Sequence, residues 1–132
     1  MAASPVLADS SYYITLLRQG HDPLRMLALA AATRDLAICG IVRCEVGRAL
    51  RPEKTWKRFQ EIWDVMINVP TDNRLWEEVE RTLWHLDRKG QVLPLTDVII
   101  GCCAMRIQAV VLTFDHHFSL IPGVHAVSRL DF

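Results

Sequence analysis

The chain has 132 residues, 51% of them hydrophobic and 23% charged, which suits one globular domain spanning 1–132 with its own buried core. Fifteen basic against fifteen acidic side chains leave no net charge, so the overall balance does not mark a nucleic-acid binder and only local charge is left to act. No apolar run approaches the ~20 residues of a membrane span, and the start lacks the basic and apolar regions of a secretory signal, so the expected location is the cytoplasm.

Pro5-Val6-Leu7-Ala8 predicts a short apolar strand with Asp9 at its exit. Ser10 or Ser11 is placed to cap a helix through Tyr12, Tyr13, Ile14, Leu16 and Leu17 that closes near Gly20. Asp22-Pro23 is an N-cap followed by proline at the first helical position, opening an Ala- and Leu-rich helix to about Thr33. The apolar breadth of that helix suits burial or a partner. Leu36 to Cys39 reads as a second strand, and Gly40 turns the chain into a helix carrying Glu45 beside a Val42, Val46 and Leu50 stripe. Pro52 ends it, and Glu53 to Val65 forms the next helix with Trp56, Phe59, Ile62 and Trp63 along one side. Met66 to Val69 is a third strand, and Asp72 caps a long helix to Lys89 that stops at Gly90. Thr96 is then read as the N-cap of a helix with Asp97 in its first turn, where the positive helix end favours a carboxylate. The β-branched run Ala109 to Leu112 is a buried strand with Asp115 just past its end, and a last short strand lies near His125 to Val127. Strands alternating with helices predict a mainly parallel sheet covered on both faces.

Charge is uneven along this order. Arg43, Arg48, Arg51, Lys54, Lys57 and Arg58 crowd one region, while Asp72, Glu77, Glu78, Glu80 and Asp87 make a later one acidic. The basic run either holds a polyanion or is an ordinary solvated helix face; the acidic run reads as the latter. Cys39, Cys44, Cys102 and Cys103 stand in apolar contexts, and neither they nor the five histidines have structural-zinc spacing, so reduced core thiols are expected. Trp56, Trp63, Trp76 and Trp84 can stack on bases, but their helical apolar spacing suits core or interface packing better.

In open α/β sheets, sites form beyond the carboxyl ends of the strands, which is where Asp9 and Asp115 fall. Each acid also has an ordinary role available: Asp9 as a helix cap, Asp97 as a first-turn residue, Asp115 as a turn residue, Glu45 as a partner for Arg48 or solvent. Taken together, Val6-Leu7-Ala8-Asp9-Ser10-Ser11, Glu45 near Arg48, Thr96-Asp97 with Ile100, and Thr113-Phe114-Asp115 leading to Phe118 resemble the PIN domains, especially the VapC-like ribonuclease toxins of toxin-antitoxin systems. The resemblance covers nearly the whole chain. It implies a three-layer α/β/α sandwich with a mainly parallel central sheet, and a metal-dependent endoribonuclease with Asp9, Glu45, Asp97 and Asp115 as the catalytic acids.

Hard cations such as Mg²⁺ and Mn²⁺ take oxygen ligands, and clustered carboxylates suit one or two of them because the ion relieves their repulsion. Asp9, Asp97 and Asp115 are assigned as the direct ligands. Glu45 either ligates through water or holds and polarises the attacking water. Thr113 and Ser10 are expected to orient carboxylates, Ser10 beside Asp9. Arg48 is the first candidate for an RNA phosphate contact. Where many relatives carry another acid, two residues after Asp115, this chain has His117, preceded by His116. His117 is a possible extra ligand for Mn²⁺ or a softer ion, or an exposed loop residue, and it puts a second metal and the Mg²⁺ preference in question. The resemblance further implies a homodimer and a cognate antitoxin protein covering the acidic groove, with the helix after Pro23 and the Trp56 to Trp63 face as contact surfaces. The rival readings are a non-catalytic binding module, a PIN scaffold that keeps the acids but lacks productive metal binding because of His117, and a doubly wound nucleotide-binding or phosphatase-like domain using Asp9. The latter is disfavoured by the absence of a Gly-rich phosphate loop or a second acid two residues on.

Overall fold

Short β-branched and apolar runs separated by amphipathic helices leave each strand with a neighbour it can reach only by a crossover, and parallel pairing is the result. The computed structural model describes residues 3–130. The strands are β1 (Val6–Ala8), β2 (Leu36–Cys39), β3 (Ile67–Val69), β4 (Val110–Leu112) and β5 (Ala126–Val127), and they form one sheet in the order β3-β2-β1-β4-β5. Every pairing is parallel, with Val6 beside Leu36 on one side and beside Val110 on the other. The helices are α1 (Ser10–Arg18), α2 (Pro23–Ala31), α3 (Gly40–Gly47), α4 (Glu53–Asp64), α5 (Asn73–Arg88) and α6 (Leu95–Arg106), with a 3₁₀ turn at His116–Leu120. They flank the sheet as the three-layer α/β/α sandwich expected.

The chain steps outward from β1 through β2 to β3, then returns to the other side of β1 as β4. This reversal places a crevice beyond the carboxyl ends of β1 and β4, the usual ligand position in such sheets. Both strands are wholly buried. Helix α6 is apolar on all sides, with Val98 through Ala104 buried, so it is a core helix held between the sheet and α5. Trp63 is fully buried and donates its indole N–H to the Tyr13 hydroxyl at 3.2 Å, which satisfies the polar atom of an otherwise apolar ring. No helix among the described residues is long and apolar enough to cross a membrane.

Several expectations are corrected. Asp9, not Ser10 or Ser11, is the N-cap of α1, because its carboxylate reaches the Tyr12 N–H. Helix α6 begins at Leu95 after Pro94 with no side-chain cap, so Thr96 lies inside the first turn; Asp97 remains there as expected. Helix α2 stops at Ala31, short of Thr33. Cys39, Cys102 and Cys103 are buried free thiols, but Cys44 is exposed, since α3 turns it away from the Val42 and Val46 face. Half of the basic run is engaged in ion pairs at the surface: Arg43 pairs with Asp64, Lys57 with Glu53 and Arg58 with Asp22. Of the tryptophans only Trp63 enters the core, while Trp56, Trp76 and Trp84 stay exposed.

Candidate functional site

Asp9 follows β1 directly and is 3% exposed. A buried carboxylate needs donors, and they come from two elements. Oδ1 accepts the Tyr12 N–H at 3.1 Å and the Ser11 hydroxyl at 2.9 Å, and Oδ2 accepts the Thr113 hydroxyl at 2.9 Å. Each of those hydroxyls also accepts from the segment leaving β4: Ser11 from the Phe114 N–H at 3.2 Å, Thr113 from the Asp115 N–H at 2.9 Å. Two hydroxyl bridges therefore fix the exit of β1 against the exit of β4. Burial pushes the Asp9 carboxyl up to about 6, against the pull of Thr113, the Tyr12 N–H and Ser11, and the nearby Asp97 charge adds to the rise.

Ser10 does not serve Asp9. Its hydroxyl donates to Glu45 Oε1 at 2.7 Å, because successive side chains in the first turn of α1 diverge by about 100° and Ser10 faces α3 while Ser11 faces β4. Ser11 is the residue that sequence reasoning missed; the available signal was Asp9 as the cap, which fixes where each following hydroxyl points. Glu45 is half-buried on α3, beside the buried Val42 and Val46. Arg48 is exposed at the end of α3 and joins no ion pair among the described residues.

Asp97 is the third residue of α6, where the unpaired N–H groups of the helix start favour its charge. Burial raises its pKa and the His117 hydrogen bond opposes this, while the charges of Asp115 and Glu45 raise it further. Asp115 caps the 3₁₀ turn by accepting the His117 N–H at 2.9 Å. The His117 ring then folds back over the acids, with Nδ1 3.0 Å from Asp97 Oδ2 and 3.1 Å from Asp115 Oδ1. Asp97, Asp115 and His117 each offer one ligand atom within 4.8 Å of the others. Thus Asp97, Asp115 and His117 converge directly, while the Asp97 charge reaches Asp9 and the Glu45 charge reaches Asp97. Carboxylate oxygens with one imidazole nitrogen are a donor set suited to a divalent cation such as Mn²⁺ or Mg²⁺.

A family model described as PIN domain matches residues 6–124. The chain belongs to the PIN domain family. No curated protein matches it. Solved structures share the fold of this PIN domain at low identity. A DNA-bound VapBC from Salmonella typhimurium superposes with a TM-score of 0.77 at 19% identity, over 95% of this chain and 98% of that one. VapBC2 from Rickettsia felis, bound to a promoter DNA fragment, gives 0.75 at 16%, over 93% and 97%. VapC20 from Mycobacterium tuberculosis, a sarcin-ricin loop cleaving toxin, gives 0.61 at 14%, over 91% and 98%.

Proposed function

We propose that this PIN domain is a Mg²⁺- or Mn²⁺-dependent endoribonuclease and the toxin of a toxin-antitoxin pair. The observation that carries the reading is the convergence of Asp97, Asp115 and His117 in the crevice between the exits of β1 and β4, next to a second pair of acids, Asp9 and Glu45. The kinship with a sarcin-ricin loop cleaving toxin and with VapBC complexes supports RNA as substrate and an antitoxin as partner.

Asp9, Asp97 and Asp115 would hold the ion, and Glu45 would act on it through water. When bound, a divalent cation supplies Lewis acidity that activates water and offsets charge building on the phosphate. Glu45, which accepts the Ser10 hydroxyl, would orient the attacking water and take its proton. Ser11 and Thr113 keep the Asp9 carboxylate from rotating away. Arg48 holds a substrate phosphate, which gives affinity without sequence preference. The antitoxin covers the groove of about 230 Å³ beside Tyr12, where the exposed apolar side chains of Met26, Leu29 and Phe114 need a partner. A homodimer completes the proposed assembly.

The test is cleavage of a labelled, mixed RNA pool with EDTA, Mg²⁺ or Mn²⁺, alongside Asp97→Asn. Metal-dependent cleavage that drops at least a thousandfold in the folded variant is expected; equal activity in the variant removes this mechanism. A second reading is favoured by His117 itself. Protonated, it bridges Asp97 and Asp115 as a counter-ion, and the protein is then a non-catalytic binding module. Failure to cleave any RNA together with no binding of Mn²⁺ would select that reading.

A further inference from the structure

We infer that His117 is an inner-sphere ligand through Nδ1, and that it makes this centre select Mn²⁺ over Mg²⁺. The inference rests on the metal-centre reading above and concerns which ion this chain takes.

The separations argue for it first. Nδ1 lies 3.0 Å from Asp97 Oδ2 and 3.1 Å from Asp115 Oδ1. Ligands at right angles around an octahedral ion with bonds of about 2.1 Å are about 3.0 Å apart, so both separations match neighbouring corners of one coordination shell. As a hydrogen bond the arrangement is poorer. Nδ1 carries at most one hydrogen, and one N–H cannot point straight at two oxygens on different elements. A lone pair directed at an ion between the ligand atoms turns both close approaches into edges of the shell.

The ring position is also built into the fold. The backbone N–H of His117 is held by Asp115 Oδ1 at 2.9 Å. Phe118 next in the chain is fully buried, and Ile121 at the end of the 3₁₀ turn is 1% exposed. Ile121 and Val124 rest on Gly101 of α6, where a Cβ would come within 3.0 Å and 3.2 Å of them. Gly101 is one helical turn after Asp97, so this close approach packs the segment following His117 against the helix that bears Asp97. A loosely placed surface histidine lacks this support; the ring here is 32% exposed.

Chemistry then sets the preference. Mg²⁺ favours oxygen and gives up water reluctantly, whereas imidazole suits the transition ions and binds Mn²⁺ more readily than Mg²⁺. A neutral ligand also adds no negative charge to a pocket already containing Asp9, Glu45, Asp97 and Asp115.

Electron spin echo modulation of Mn²⁺ added to the EDTA-stripped full chain tests the assignment without any substrate. Nitrogen modulation is expected in the native protein and in His116→Ala, and its loss in His117→Asp, which keeps an oxygen ligand at the position. The ratio of Mn²⁺ to Mg²⁺ affinity, from competition, is expected to fall about tenfold or more in His117→Asp. Mn²⁺ bound without nitrogen modulation, modulation surviving in His117→Asp, or an unchanged affinity ratio overturns the inference and leaves the metal centre standing. No Mn²⁺ binding by either the native chain or His117→Asp overturns both.

Discussion

In the absence of metal Asp9 is a carboxyl group almost without water, and its several hydrogen bonds do not offset that loss. Its folded value of about 6 lies above the ordinary 3.8, so the folded protein holds this proton more tightly than the unfolded chain does. The resulting stabilisation is fully present below the unfolded value and is lost as pH rises through about 6. Urea unfolding in EDTA should therefore show the native protein losing, between about pH 4.5 and pH 7.5, on the order of 2 kcal/mol more than Asp9→Asn loses. Matching pH profiles for the two proteins would mean that burial of Asp9 carries no such cost. The same ionisation that destabilises the metal-free fold makes Asp9 available to a cation, so metal affinity should rise over the window in which apo stability falls.

Among the elements, α6 carries the most consequence because it is both core and site. Its first turn presents Asp97, and Gly101 one turn later receives Ile121 and Val124. A Cβ there would stand 3.0 Å from Ile121 Cδ1 and 3.2 Å from Val124 Cγ2, so a methyl group fits only if those side chains give by a few tenths of an ångström. Gly101→Ala gains about 1 kcal/mol of helix propensity, so overpacking of about 1–3 kcal/mol should leave a small net loss, and Mn²⁺ binding should weaken as the segment after the 3₁₀ turn is pushed off α6. Calorimetric titration with Mn²⁺ together with urea unfolding checks both parts; a destabilised variant with native Mn²⁺ affinity would separate Gly101 from the site. Helices α1 and α6 both start at the crevice, so their positive ends offset part of its negative charge.

For the whole molecule, acids from β1, α3, α6 and the β4 exit are brought together by the reversal of strand order, and their repulsion is a cost to the metal-free fold. An ion that binds only the folded chain must stabilise it. Mn²⁺ at a hundredfold excess over its Kd should contribute about 2.7 kcal/mol, a rise in Tm of roughly 10 °C for a chain of this size. Differential scanning calorimetry with and without Mn²⁺ measures it, and an unmoved Tm would favour the binding-module reading in which His117 replaces the metal. Outside the crevice, α2 exposes Met26 and Leu29 at 44% and 60%, whereas the Trp56 to Trp63 face expected as a second contact surface is half consumed, because Trp63 turns into the core.

Much of the fold follows from local pattern. The apolar triplets at Val6–Ala8 and Val110–Leu112, the Asp22-Pro23 and Asp72 starts, and the Gly90 stop each act over a few residues, so strand and helix alternation was legible, as was the placing of Asp9 and Asp115 at strand exits. The resemblance to PIN domains was legible for the same reason, since its motifs are short and sit at element ends. What needed the tertiary structure is every pairing between distant elements: Ser10 with Glu45 across 35 residues, Ser11 with Thr113 across 102, and His117 with Asp97 across 20. The basic run stayed open between a polyanion site and a solvated face in sequence because Arg43 and Arg58 find Asp64 and Asp22 only after folding. Side-chain direction across elements depends on helix phase and packing distance, and a linear pattern constrains neither closely enough to choose between adjacent hydroxyls or to bring a histidine within bonding reach of two acids.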